Sequence, residues 1–131
     1  MPARTAKQQG ELAEVAFIYR ASALGFVVSK PFGDSAPFDV VVGSGPRLFR
    51  VQVKSAAGSR NGVYEINAGR GRFVKSAYTA NEIDILAAWL VPEDVWYLIP
   101  VAAFTPRKTI RLGNGAGRRY ARFREDWGWL L

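Results

Sequence analysis

Two apolar runs in this chain each contain polar residues. Asp39 sits in Phe38-Asp39-Val40-Val41-Val42, and Gln52 and Lys54 sit in Val51-Gln52-Val53-Lys54. Glu11 lies upstream of both, in a stretch with helical spacing. A valine-rich strand has no packing reason to carry Asp, Gln or Lys, so these residues are candidates for chemistry. Their types suit a hard cation: Mg²⁺ takes oxygen ligands and keeps several waters. Asp39 offers a carboxylate, Gln52 a neutral amide oxygen and Val53 a peptide carbonyl, with Glu11 placed to reach the same ion directly or through water. Lys54 can stabilise charge on an attacked phosphate or hold the nucleophilic water. The expected cofactor is Mg²⁺, with Mn²⁺ as a substitute.

Geometry sets a condition on this reading. Alternate residues of a strand share a face, so Gln52 and Lys54 point the same way. Gly43-Ser44-Gly45-Pro46 reads as a turn. Taken as a four-residue loop, it pairs Val42 with Arg47 and sets Asp39 opposite Arg50, diagonal to Gln52. Any even-length loop keeps Asp39 on that face, whereas a slip of one residue moves it to the other.

The surrounding elements follow from periodicity and punctuation. Residues 6–25 read as a helix, with Leu12, Val15, Ala16, Tyr19 and Ala23 as its apolar stripe and Gly25 as its C-cap. A short strand at 26–28, a loop at 30–37, and strands at 38–42 and 47–55 come next. Residues 63–67 read as a strand and 68–75 as a basic loop. Residues 83–91 and 95–101 read as a hairpin of two strands, 109–112 as an edge strand, and 118–127 as a short helix. Asp84, inside an apolar run, is expected to pair with an arginine or tyrosine, and Asp34 to brace a turn.

Composition narrows the chemistry. The chain of 131 residues suggests one domain, 1–131, and 49% hydrophobic content is enough for a core. With no Cys or His, thiol nucleophiles, zinc–thiolate sites and histidine bases are excluded. No apolar run is long enough for a membrane span and the first ten residues lack a signal core, so the expectation is a cytoplasmic protein with no membrane partner. Eighteen Lys and Arg face eleven Asp and Glu, for a net charge of +7. That surplus favours a polyanion. Arg70, Arg72 and Lys75, interleaved with Phe73 and Tyr78, form one candidate nucleic-acid contact, and Arg118, Arg119 and Arg122 form a second.

Glu11, Asp39 and Gln52-x-Lys54, in that order on helix, strand and strand, resemble the PD-(D/E)xK nuclease superfamily. Pro37-Phe38-Asp39 stands near its Pro-Asp with one residue inserted, and Gln52-Val53-Lys54 stands for its (D/E)xK. Gly10-Glu11-Leu12-Ala13-Glu14, Lys30-Pro31-Phe32-Gly33-Asp34-Ser35 and Asp94-Val95-Trp96-Tyr97-Leu98-Ile99-Pro100 are similar to the branch related to group I intron homing endonucleases, which often carries Gln in place of the acid. The resemblance implies an α/β, restriction-endonuclease-like core: a mixed central β-sheet flanked by helices. It also implies Mg²⁺-dependent hydrolysis of double-stranded DNA. A non-catalytic nucleic-acid-binding module and a Holliday-junction resolvase are the alternatives on the same core. A double-strand break by so small a chain calls for a homodimer or homotetramer, and Trp127, Trp129, Leu130 and Leu131 are the apolar residues expected to offer its contact.

Overall fold

The computed structural model of the chain describes residues 2–71 and 73–131, apart from the side chains of 116 and 117. Helix α1 (Ala6–Ala23) starts at a capping box. Gln8 donates its amide to Thr5 Oγ1 at 3.1 Å, and the Thr5 amide donates to Gln8 Oε1 at 2.9 Å. The helix ends in a Schellman motif: Gly25, at φ +96°, donates to the Ser22 carbonyl and Phe26 to the Ala21 carbonyl.

Strands β1 (Val27–Ser29), β2 (Val40–Ser44), β3 (Arg47–Ala56), β4 (Val63–Asn67), β5 (Gly69–Arg70), β6 (Ser76–Ala77), β7 (Ile85–Leu90) and β8 (Val95–Pro100) follow, then the one-turn helix α2 (Val101–Phe104) and β9 (Thr109–Gly113). Among the described residues, five strands form a sheet in the order β1-β2-β3-β7-β8. The β3–β7 pair is parallel and the others antiparallel, so the central sheet is mixed. All six residues of β7 are buried, because it is covered on both faces. β7 and β8 form the expected hairpin. β9 is not an edge of this sheet; it pairs with β4 in a separate two-stranded ribbon. The segment expected as a loop at 68–75 contains β5, which pairs with β6.

The sheet divides two apolar clusters. One face packs against α1 through Phe17, Val40, Val51, Val53 and Leu98. The other carries Leu86, Ala88, Tyr97 and Ile99 and is covered by Tyr64 and Ile66 of β4 and Ile110 and Leu112 of β9. The buried stripe of α1 is Ala13, Phe17 and Ala21, not the one expected: Val15 is 62% and Tyr19 75% exposed. Two alanines let the helix approach the sheet closely while Phe17 fills the space between Trp96 and Trp127, 5.3 and 5.7 Å away.

The C-terminal segment also corrects the sequence reading. Residues Gly115–Phe123 are a 3₁₀-helix that buries Tyr120 and Phe123, and the chain is extended by Arg124. Trp127 belongs to the opposite cluster, beside α1. Glu125 accepts from the Trp96 amide at 2.8 Å, from Trp127 Nε1 at 2.9 Å and from Arg20 at 2.7 Å. In the tail Trp127 and Leu130 are buried, Trp129 packs partly buried against the same cluster, and Leu131 is exposed. Among the described residues no helix is long and apolar enough to cross a membrane.

Candidate functional site

The β2–β3 register meets the condition set by alternation. Ser44 pairs with Arg47 and Val40 with Val51, so the loop is Gly45-Pro46, two residues and not four. The shift is even, and the faces are preserved. Asp39 lies one residue beyond the last pair, Val40–Val51, and so is not opposite Arg50. The Asp39 amide still donates to the Val51 carbonyl at 2.9 Å. There β2 ends, and the strands part.

The gap is bridged by a side chain. Asp39 Oδ2 accepts a hydrogen bond from the Val53 amide at 2.9 Å. The N–H and C=O of one strand residue point to the same side, so the Val53 carbonyl also faces the gap. A cavity of 660 Å³ opens here, bordered by Glu11, Glu14, Asp39, Gln52, Val53 and Lys54. All four residues expected to do chemistry therefore meet at one opening. Asn67, at the end of β4, lies on the same wall.

Burial shapes the electrostatics. It holds the Asp39 carboxyl above the usual carboxylate range, against the opposing pull of the Val53 amide; Glu14 adds to the rise, and Lys54 and Lys30 counter it. Burial likewise holds Lys54 below the usual lysine value, with Asp39 opposing and Lys75 reinforcing. Tyr78 is pushed up to about 12, first by burial and then by the Asp39 charge. A half-buried acid beside a half-buried lysine is the kind of pair that functional sites maintain at a cost in stability.

Glu14 is a further acid bordering this site, outside the set expected from the sequence. Its side chain is 22% exposed and pairs closely with Lys30. A 220 Å³ cavity beside Asp39 is bordered by Glu14, Lys30, Asp34 and Phe38. Glu11 is exposed and borders the main cavity without a hydrogen bond or ion pair among the described residues. The available signal was the three-residue spacing of Glu11 and Glu14, which puts both on one side of α1.

Of the basic residues, Lys75 lies close enough for its charge to act on Lys54. Arg70 is paired with Glu82. Arg72 lies outside the described residues. Arg118, Arg119 and Arg122 are exposed on the Gly115–Phe123 helix, with Arg122 over the Phe123 ring. Asp84 pairs as expected, accepting from the Arg50 amide at 2.7 Å and from its guanidinium at 3.0 and 3.1 Å.

The donor set fits a hard divalent ion. It combines one half-buried carboxylate, an amide oxygen, an outward peptide carbonyl and nearby helix acids, in a cleft with room for water. No three Asp or Glu gather into a metal-holding group among the described residues. An ion here would keep several waters.

Comparison with known proteins agrees with this geometry. The family model described as PD-(D/E)XK endonuclease matches residues 4–129. The structure of the bacterial homing endonuclease I-Ssp6803I is similar, with a TM-score of 0.84 and 31% identity over 98% of this chain and 94% of that one. Hjc, a Holliday junction resolvase from Archaeoglobus fulgidus, an archaeal hyperthermophile, shares the fold with a TM-score of 0.55 and 16% identity, over 87% of this chain and 88% of that one. No curated protein matches the chain. From its strand order, the cleft where β2 and β3 part, and these matches, the chain belongs to the PD-(D/E)XK endonuclease family, on the restriction-endonuclease-like fold.

Proposed function

We propose that the protein is a Mg²⁺-dependent endonuclease that hydrolyses phosphodiester bonds of double-stranded DNA. The observation that carries this reading is the single cleft bordered by Asp39, Gln52, Val53 and Lys54, beside the Asp39–Val53 hydrogen bond. Asp39, Gln52 and the Val53 carbonyl would hold the ion, with Glu11 and Glu14 reaching it through water. Bound there, Mg²⁺ supplies a more acidic water and charge neutralisation at the attacked phosphate. The Asp39–Val53 bond fixes the carboxylate on a rigid strand end, which keeps the orienting cost low. Lys54 places a positive charge against the non-bridging oxygens.

DNA is the substrate class that I-Ssp6803I, a homing endonuclease, brings to this reading, and the net charge of +7 agrees with a polyanion. Lys75, Arg118, Arg119 and Arg122 supply phosphate contacts. One site cuts one strand, so the active form is a homo-oligomer, dimer or tetramer, whose apolar contact includes Val15 and Tyr19 on the exposed face of α1. A plasmid-nicking assay with Mg²⁺ or Mn²⁺ tests the reading. It should give relaxed and then linear product. Intact plasmid at saturating protein would leave a DNA-binding module without catalysis.

A further inference from the structure

The β4–β9 ribbon has one face in the core and one face outside. Tyr64, Ile66, Ile110 and Leu112 point inward and are buried. Alternation turns Glu65 and Asn67 of β4, and Thr109 and Arg111 of β9, to the outside, and all four are exposed. Glu65 stands directly opposite Arg111, and Asn67 opposite Thr109. Opposite charges facing each other across a ladder ordinarily pair. Here Glu65 and Arg111 make no ion pair among the described residues, within the 4.0 Å that defines one. Both remain available to a partner.

The chemistry of this face is that of a base reader and not of a phosphate clamp. A guanidinium matches guanine O6 and N7, a carboxylate accepts from cytosine N4, and a threonine methyl packs on thymine. A carboxylate at the centre of the face would repel phosphate. Apart from Arg111, the positive charges sit at its ends, with exposed Arg60 beside the start of β4 and exposed Arg107 and Lys108 before β9. A 790 Å³ groove runs along the far end of the ribbon, bordered by Ser59, Arg60, Glu65 and Arg111. The near end is Asn67, which borders the candidate active site with Lys54.

Dimensions agree. Same-face residues on a strand are about 7 Å apart, which is two base-pair steps of about 3.4 Å. A two-stranded ribbon fits the roughly 12 Å major groove of B-DNA. We propose that the outward face of the β4–β9 ribbon enters the major groove of duplex DNA beside the scissile phosphate, and that Arg111, Glu65 and Thr109 read base edges there, Asn67 Oδ1 being engaged by the Gly69 amide at 3.1 Å. The proposal rests on the DNA endonuclease reading, and it adds where sequence preference is determined.

The test is selection by binding, which does not require cleavage. The full chain is used to enrich duplexes from a randomised library in the absence of divalent metal, and then Arg111→Ala and Glu65→Gln are used. Both substitutions are on an exposed face, and unchanged melting curves would confirm that the variants fold. The wild type should enrich a preferred sequence. Each variant should lose roughly 10- to 100-fold of discrimination at one base position while keeping its preference elsewhere. A wild-type preference left intact by both variants would overturn the proposal, as would a wild type that binds every sequence equally. Nicking of unselected plasmid, measured separately with Mg²⁺, would still report on the endonuclease reading in either case.

Discussion

The Asp39 carboxylate takes the place of a missing strand: its Oδ2 accepts, at 2.9 Å, the Val53 amide that β2 would have bonded had it continued. One residue thereby ends the β2–β3 ladder, satisfies the orphaned donor and faces the cleft. The pair costs stability, because burial raises the carboxyl pKa despite that bond.

This cost has a measurable sign. An acid whose folded pKa lies above its unfolded value binds more protons when folded, so stability falls as pH rises from the ordinary carboxylate range through the raised pKa. Asp39→Asn keeps an acceptor for the Val53 amide and removes the titration. It is expected to melt higher than the wild type at neutral pH, with the difference vanishing below the ordinary carboxylate range. Melting curves across pH check this; a variant less stable at neutral pH would contradict it.

Glu14 and Glu11 can be told apart by their effect on Asp39. Glu14 is a like charge that raises the Asp39 pKa, so Glu14→Gln should lower it, and Lys30, freed from its pair, acts in the same direction. Glu11→Gln should leave it nearly in place. Carboxyl ¹³C titration by NMR measures the Asp39 pKa directly. A shift caused by Glu11→Gln and not by Glu14→Gln would reverse the assignment.

Lys54→Met retains the apolar stem in its half-buried position and removes the charge. Loss of that charge from the transition state should cost several kcal/mol, at least about a hundredfold in single-turnover rate, with DNA affinity nearly unchanged. Stability should hold or rise, since burial disfavours the charged lysine. A rate within a few-fold of wild type would remove Lys54 from the chemistry.

Gln52→Glu should preserve or tighten Mg²⁺ or Mn²⁺ binding, because a carboxylate is a stronger ligand for a hard ion than an amide. It adds a negative charge to the cleft that Asp39 borders, so tightening should be greatest at higher pH, where both are ionised. Calorimetric titration of the metal is the check. Much weaker binding would place Gln52 outside the coordination sphere.

The strands of the site were legible in sequence because valine runs bounded by glycine and proline leave few alternatives, and an even hairpin loop preserves faces whether it has two residues or four. β7 was harder. Six apolar residues buried on both faces have no period, and the parallel pairing with β3 that determines them is tertiary. The helix face was misread because the larger apolar residues, Val15 and Tyr19, lie outside, while two alanines and Phe17 make the contact. That misreading carries into the site: the roll of α1 on the sheet decides whether Glu11 or Glu14 approaches Asp39. The ribbon partner of β9 was invisible, since β4 lies far upstream in the chain.

The most direct test is single-turnover cleavage of a saturating complex with duplex DNA, wild type against Asp39→Asn, titrated with Mg²⁺ and reversed with chelator. Strand scission should require both Mg²⁺ and Asp39, with the variant bound to DNA yet at least about a hundredfold slower. Scission that persists in chelator, or that proceeds at the wild-type rate in Asp39→Asn, would contradict a metal-dependent site built on Asp39.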